Sequence, residues 1–365
     1  MKAIIAGGGT AGHINPGLAI GKYLRDKKGA EILFIGTKKG FETKLVPLEG
    51  FTLKTINVRG FRRSLSFDTF VAIKELFQGL FQARKILKEY KPDIVIGTGG
   101  YVCGPVLFAA SRLKIPTLIH EQNAYPGLTN RILSRFVKKV AISFSESEKY
   151  FKTRNLIMTG NPIRNDILEA DRQKARIEIG LDADRKLVVI FGGSRGAEKI
   201  NETVSEMLVK YYSEKDFDII YATGESQFRK ISERLWHRIP DTVKIVPYIY
   251  DMAQVMSSAD LVVSRAGAIT ISELTALGIP AILIPSPHVT ANHQEHNARA
   301  LEKAGAAVVM TENELKSELL YDYIKKIITD DEIAKTMSRN SKNIAKLDAT
   351  EKIYSIIQQL TNTTE

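Results

Sequence analysis

Three glycine-rich runs in this chain have the composition of phosphate-binding turns: Gly7-Gly8-Gly9-Thr10-Ala11-Gly12, Gly97-Thr98-Gly99-Gly100-Tyr101-Val102-Cys103-Gly104-Pro105, and Gly192-Gly193-Ser194-Arg195-Gly196. Each follows a β-branched run. Residues without a Cβ let backbone N–H groups approach a phosphate, and a helix starting behind the turn adds the positive end of its dipole. The first run fits G-x-G-x-x-G, the pattern of a dinucleotide-binding turn, but fails the test of that reading. Its second strand ends at Ile35-Gly36-Thr37-Lys38, with no acid for a ribose. Lys38 and Lys39 would suit a 2′-phosphate, which leaves NADP as a minor alternative. No G-x-x-x-x-G-K-[ST] run occurs, so the Walker class is excluded. One such turn says little, because any tight strand-to-helix connection needs glycine. Three of them, divided between the two halves of the chain, fit two phosphate-bearing ligands.

A denser constellation is Ser264-Arg265-Ala266-Gly267-Ala268-Ile269-Thr270-Ile271-Ser272-Glu273. Gly267 opens a turn and Glu273 falls about one turn inside the following helix. A carboxylate there can accept from a ribose diol while amides ahead of it take a phosphate. An acid near a helix start is equally what the helix recruits for its own stability. Further on, Gln294 and Asn297 carry amides that both donate and accept, as sugar hydroxyls require. His288, His293 and His296 lie nearby, but a solvated helix start explains them and no metal is expected.

These residues need strands to place them. Near-continuous apolar runs such as Lys2–Ala6, Glu31–Ile35, Asp93–Ile96, Lys186–Phe191 and Asp260–Val263 alternate with helical stretches. That is the signature of parallel sheets covered on both faces. Two such series imply an α/β chain of two tandem doubly wound, Rossmann-like domains facing a cleft, with ligands at the strand C-termini. The expected division is 1–161 and 162–344, at Gly160-Asn161-Pro162, with a terminal helix in 345–365 packing back on the first domain.

Charge separates the halves. Residues 1–160 carry 26 Lys and Arg against 11 Asp and Glu, a balance of +15; the rest carry 26 against 30, a balance of −4, giving the chain its +11. A basic excess confined to one domain suggests an anionic partner: nucleic acid, a phosphate-rich membrane surface or a diphosphate. No apolar run reaches the roughly 18–20 residues of a membrane span. The single cysteine, Cys103, excludes an internal disulfide framework and a cysteine-built zinc site, and a cytoplasmic setting is expected.

The stretch Phe67–Tyr90 reads as a helix with two apolar stripes. Ile73, Leu76, Phe77, Leu80, Ala83 and Leu87 form the expected core face. Phe67, Phe70, Val71 and Phe81 share a second stripe with Lys74, Lys85 and Lys88, and Arg62 and Arg63 precede it. Aromatic residues among lysines suit an interfacial surface for anionic headgroups; a covering loop over solvated lysines is the alternative.

Seven blocks in order resemble the MurG-type family of UDP-N-acetylglucosamine:undecaprenyl-diphospho-muramoylpeptide glycosyltransferases, two-domain GT-B enzymes of peptidoglycan synthesis. The blocks are Gly8–His13, Gly99-Gly100-Tyr101, His120-Glu121-Gln122-Asn123, Gly160–Arg164, Gly192-Gly193-Ser194, Arg265–Ala268 with Ser272-Glu273, and Gln294. The resemblance runs nearly end to end. It implies inverting transfer of N-acetylglucosamine from UDP to the muramoyl 4-hydroxyl of undecaprenyl-linked lipid I, forming lipid II, with consequences for cell shape and division. It further implies a protein peripheral to the cytoplasmic side of the cell membrane, with no cofactor, no metal and no nucleic acid. By position, Thr10, Ala11, Gly12, Asn123, Arg164, Ser194, Ile249, Ala268, Ile269, Thr270, Ile271, Ser272, Glu273 and Gln294 match donor contacts. Gly9, Gly99, Gly100 and Tyr101 are assigned to the acceptor diphosphate, so the first domain takes acceptor and membrane and the second takes the donor. His13 is the candidate base, since a pKa of about 6.5 suits that task near neutrality; ordering the loop is its other possible role. His120 and Glu121 are rivals that also suit structural roles. Ala11, Arg195 and Ala266 stand where the family more often has glycine, glutamine and serine. A glycolipid glycosyltransferase or a UDP-sugar epimerase is the alternative within the fold.

Overall fold

Apolar runs, several of them ending at glycine turns, form most strands of two sheets. The computed structural model describes residues 1–60, 67–181, 185–193, 197–212 and 217–362, and for residues 67–70 the backbone path alone. The first sheet holds β1 (Lys2–Gly7), β2 (Glu31–Gly36), β3 (Thr52–Thr55), β4 (Ile94–Gly99), β5 (Thr117–Glu121), β6 (Lys139–Ile142) and β7 (Leu156–Met158). Every pairing is parallel and the order is β3-β2-β1-β4-β5-β6-β7. Because side chains alternate along a strand, Ile4 and Ala6 enter one core while Ala3 and Ile5 enter another on the opposite face. The terminal helix Ala349–Asn362 completes that opposite core with Ile353, Ile356 and Ile357. Truncating fully buried Ile357 to alanine would cost about 2–5 kcal/mol.

The second sheet holds β8 (Leu187–Phe191), β9 (Asp218–Ala222), β10 (Val243–Val246), β11 (Leu261–Ser264), β12 (Ala281–Leu283) and β13 (Ala307–Val309). It too is parallel, in the order β10-β9-β8-β11-β12-β13. The chain thus forms two compact units, Met1–Ile163 with Lys346–Glu365, and Arg164–Ala345. In each, strand order reverses direction between the first and fourth strands of the unit, β1 with β4 and β8 with β11. Ligands of open α/β sheets sit outside the carboxyl ends of the strands at such a switch point.

Three local expectations change. β3 is absent from the sequence reading because this half-exposed edge strand, Thr-Leu-Lys-Thr, has no apolar run to announce it. The sequence suggests a helical run starting at Pro16, but the helix begins at Ala11 and runs through Pro16 to Lys28. At this sixth position the proline forfeits its own bond to the Gly12 carbonyl and its ring crowds that carbonyl. The helix Phe67–Tyr90 buries Ala72, Gly79, Ala83, Ile86 and Leu87, while Ile73 and Phe77 are exposed. Its core face is therefore rotated by roughly 60° from the expected stripe. Small residues explain the rotation: a Cβ on Gly79 would lie 2.7 Å from the Asn57 carbonyl oxygen and 3.6 Å from Pro105. The small side chains let the helix approach its neighbours, and the large apolar ones are left outside.

Candidate active site

In the first unit the glycine turns after β1 and β4 lie side by side at the switch point, joined by the Gly8 amide donating to the Gly99 carbonyl at 3.3 Å. Gly9, Gly99 and Gly100 all have positive φ. Gly99 also makes room: a Cβ there would stand 2.3 Å from His13 Nδ1, and one on Gly100 would stand 2.3 Å from the Gly8 carbonyl oxygen. Thr10 caps the helix in extended conformation without a side-chain bond, and Thr10, Ala11 and Gly12 are exposed. Ala11 is thus a solvent-facing first helical residue. Tyr101 is half exposed and its ring is the nearest neighbour of a Cβ built on Gly60.

A residue that the sequence reading missed holds this turn. Glu42, fully buried, accepts from the Gly9 amide at 3.0 Å, the Thr37 amide at 2.7 Å and the Thr37 hydroxyl at 2.6 Å. An acid does follow β2, at the start of the helix Glu42–Leu48, but it faces inward and fixes the loop. Gly9 therefore offers close approach rather than a spare amide. Cys103 braces the second turn from below: its thiol donates to the Ala6 carbonyl at 3.1 Å, and burial pushes its pKa up to about 12.

His13 is half-buried, with Nδ1 3.3 Å from Gln122 Oε1 and its own carbonyl accepting from Thr98 Oγ1 at 2.7 Å. The rivals are occupied. His120 is fully buried with Nε2 3.0 Å from the Gly160 carbonyl, and desolvation lowers its pKa to about 4. Glu121 is buried as well. Its Oε1 accepts from the Asn123 amide at 3.0 Å and Asn123 Nδ2 at 3.2 Å, and its Oε2 from the Gly127 amide at 3.1 Å and Asn130 Nδ2 at 2.8 Å. Both are engaged by neighbouring groups, and Glu121 holds Asn123 through two hydrogen bonds.

In the second unit the turns after β8 and β11 meet at the other switch point. Gly192 permits a tight reversal, since a Cβ there would lie 2.6 Å from that of Ala197. Ser194 and Arg195 lie outside the described residues. After β11, Gly267 is the extended N-cap of the helix Ala268–Leu277 and provides no side-chain cap. Glu273 shares the helix face of Ile269 and Thr270, one turn below that start. It is 7% exposed, and Arg164 Nε lies 3.3 Å from its Oε1. Burial pushes its carboxyl above the usual range, and the guanidinium partly offsets this. Ile271 is buried and Ser272 Oγ donates to the Ala268 carbonyl at 3.0 Å.

A cavity of about 730 Å³ opens here, lined by Gly193, Gly267, Thr270, Ser286, His288 and Gln294 among others. That volume lies within the range of small-ligand sites. Gln294 Oε1 accepts from the Ser286 amide at 2.9 Å and leaves its amino group for other partners. Asn297 departs from expectation: it is fully buried and donates to the Ala266 carbonyl at 3.3 Å, so it is a strut. Arg265 is another strut, bonding the carbonyls of Ile284 and Pro285 at 3.1 and 3.2 Å and the carboxylate of Glu312. Ile249 is buried between exposed Tyr248 and Tyr250.

Family models fit this two-unit layout. The glycosyltransferase family 28 N-terminal domain matches residues 3–142, and the glycosyltransferase family 28 C-terminal domain matches residues 187–360. The chain belongs to glycosyltransferase family 28. Two curated relatives carry the same name, UDP-N-acetylglucosamine–N-acetylmuramyl-(pentapeptide) pyrophosphoryl-undecaprenol N-acetylglucosamine transferase. The one from Acetivibrio thermocellus is 60% identical, covering 99% of this chain and 98% of its own length. The one from Ruminiclostridium cellulolyticum is 56% identical, covering 99% of this chain and all of its own length. Among solved structures, Acinetobacter baumannii MurG matches with a TM-score of 0.80 at 29% identity, over 98% of this chain and 99% of that one.

The surface expected to face a membrane takes in further apolar residues. Phe81, Lys74, Lys85 and Lys88 are exposed, and exposed Ile73 and Phe77 join them; the side chains of Phe67 and Phe70 lie outside the described residues. A second ridge, unseen in the sequence reading, is Leu128, Ile132 and Phe136, all exposed at i,i+4 spacing beside Arg131 and Arg135. Phe136 meets Phe108 edge-on at 5.4 Å, and the helix carrying Phe108, Cys103–Arg112, packs against both ridges' helices. The i,i+4 spacing was the available signal, obscured because the helix Leu128–Leu133 is so short. Among the described residues no helix is long and apolar enough to cross a membrane.

Proposed function

We propose that this chain transfers N-acetylglucosamine from UDP-N-acetylglucosamine to the muramoyl 4-hydroxyl of the undecaprenyl-diphospho-muramoylpeptide acceptor, with inversion, giving lipid II. The observation that carries the reading is the pair of switch points. Each ends in a glycine-lined helix start suited to a phosphate, one beside a half-buried histidine and the other above a buried carboxylate. Full-length relatives named for this transfer support the assignment.

In this scheme the second unit takes the donor. Glu273 accepts from the ribose hydroxyls, and the amide end of the helix Ala268–Leu277 stabilises the charge that develops on the departing diphosphate. Gln294 lends its amino group to the sugar or phosphate. The first unit takes the acceptor, its diphosphate at the turns of Gly9, Gly99, Gly100 and Tyr101. His13 removes the proton from the attacking hydroxyl; a general base of this kind contributes roughly 10²–10⁴-fold to rate.

The apolar and basic face of the first unit holds the protein on the cytoplasmic surface of the membrane, where a lipid-linked acceptor resides. Aromatic side chains enter the interface while Lys74, Lys85 and Lys88 meet anionic headgroups.

The test is incubation of purified protein with UDP-N-acetylglucosamine and a short-chain acceptor analogue, with and without chelator. Disaccharide-linked product in both arms is expected. Hydrolysis or epimerisation of the donor without transfer would overturn the assignment.

A further inference from the structure

The strongest unassigned feature is a line of side chains running from the core of the first unit to His13. Gln122 is buried, and its hydrogen-bond partners decide which way its amide is turned. Its Nε2 lies 2.9 Å from the His120 carbonyl oxygen, which can only accept, so the nitrogen is on that side. The same nitrogen lies 3.0 Å from His120 Nδ1. An amide nitrogen only donates, so His120 Nδ1 is unprotonated and its Nε2–H donates to the Gly160 carbonyl at 3.0 Å. Gln122 Oε1 is thereby turned toward His13 Nδ1, 3.3 Å away. An amide oxygen only accepts, so His13 must carry its proton on Nδ1.

We propose that Gln122 is a positioning residue that fixes the tautomer of His13, holding Nδ1–H and leaving the Nε2 lone pair as the atom that takes the proton from the acceptor hydroxyl. This inference rests on His13 being the base. The proton inventory is internally consistent from end to end. If His120 Nδ1 were protonated, Gln122 would have to turn over, placing its oxygen against the His120 carbonyl and its amino group against His13. His13 would then hold Nε2–H and have no lone pair to offer. Burial keeps His120 neutral near pH 7, which favours the productive arrangement. Gly99 leaves room for the ring, since a Cβ there would stand 2.3 Å from His13 Nδ1. The second residue of the pair is separated from His13 by 109 positions.

The experiment compares the full-length protein with Gln122→Met, which keeps the volume and removes every side-chain hydrogen bond of the residue, and Gln122→Glu, which keeps an acceptor toward His13. Ring ¹⁵N shifts from selective histidine labelling report the tautomer, with the His13 signal identified by its loss in His13→Ala. In the parent protein and in Gln122→Glu, His13 is expected as Nδ1–H. In Gln122→Met that preference should disappear, with turnover falling roughly 10–100-fold, as for a misplaced catalytic group, and KM for the donor moving little. A merely structural role would lower the unfolding midpoint without changing the tautomer. An unchanged His13 tautomer in Gln122→Met overturns the proposal, and so does a changed tautomer with undiminished turnover. Parent-like turnover in His13→Ala would instead remove the base assignment itself, independently of Gln122. If Gln122→Met does not fold, Nε2–H as the dominant tautomer in the parent protein overturns the proposal on its own.

Discussion

Replacing Glu121 with glutamine exchanges one carboxylate oxygen for an amino group at a place where both oxygens face donors. On one side stand the Asn123 amide and its Nδ2; on the other stand the Gly127 amide and Asn130 Nδ2. Whichever way the new amide turns, a donor meets donors. Each buried N–H left without an acceptor costs about 1–3 kcal/mol, and the pair that keeps its oxygen loses the assistance of charge. The sum is about 3–6 kcal/mol, less whatever a shift of the 123–127 loop recovers. For a unit of 150–250 residues each kcal/mol lowers the midpoint by roughly 2–4 °C, so a fall of about 6–24 °C is expected in its calorimetric transition. Exposed Glu148, changed to glutamine, is the matched control and should stay within about 0.5 kcal/mol of the parent. Turnover should fall as well, because Asn123 loses its support. A midpoint within 2 °C of the parent with turnover abolished would refute this reasoning and make Glu121 a participant in the chemistry.

Three further outcomes follow from the same geometry. His120 is neutral in the fold, with its pKa lowered to about 4, whereas the unfolded chain takes up a proton near pH 6.5. Its contribution is complete above about pH 6.5 and is lost as pH falls toward 4, amounting to about 3 kcal/mol; denaturant titrations across that window should show a slope that His120→Gln lacks. Gly99→Ala would drive a methyl to within 2.3 Å of His13 Nδ1 at a positive φ, so turnover should drop roughly 100-fold while UDP affinity stays within about twofold; near-parental turnover would count against His13. Phe77→Ser with Phe81→Ser removes two of the most exposed aromatic side chains among the described residues of the first unit, and vesicle flotation should weaken while transfer to a soluble analogue persists; unchanged flotation would discard the membrane face.

What could be read from the sequence follows from how each residue is held. β1, β4, β8 and β11 are covered on both faces, so they appear as unbroken apolar runs, and their glycine turns mark the switch points directly. β3 is half exposed and escapes the same test. The helix Phe67–Tyr90 was placed correctly but turned, because counting large apolar residues ignores Ala72, Gly79 and Ala83, whose value lies in how little space they take. Glu42 carries no local signal at all, and Gln122 stands in a family-like block that does not announce its partner. Each acts across a fold-level distance, Glu42 on Gly9 and Gln122 on His13, and pattern alone cannot pair them. The same limit applied to Asn297, whose amide suits a sugar hydroxyl but is spent on the Ala266 carbonyl.

Gly267 offers a case where stability and binding should diverge. It holds the N-cap position of the helix Ala268–Leu277 with φ −67° and ψ 137°, backbone angles open to any residue, and a Cβ there would meet nothing closer than Thr270 Oγ1 at 3.6 Å. Nothing steric requires glycine. Aspartate is a far commoner cap, since its carboxylate accepts from the first-turn amides and complements the helix dipole, and Gly267→Asp should add a few tenths to about 1 kcal/mol of stability. Those amides, however, are the groups assigned to the donor's diphosphate. An aspartate would occupy them and set a negative charge against the incoming phosphates, so UDP affinity should fall at least roughly 100-fold, about 2.7 kcal/mol. Gly267→Asn separates the two effects: it caps without charge and should weaken UDP binding less than aspartate does. Calorimetric midpoints and UDP titrations on the parent and both variants test the argument together. A variant that gains stability and still binds UDP at parental strength would show that the diphosphate is held elsewhere in the second unit.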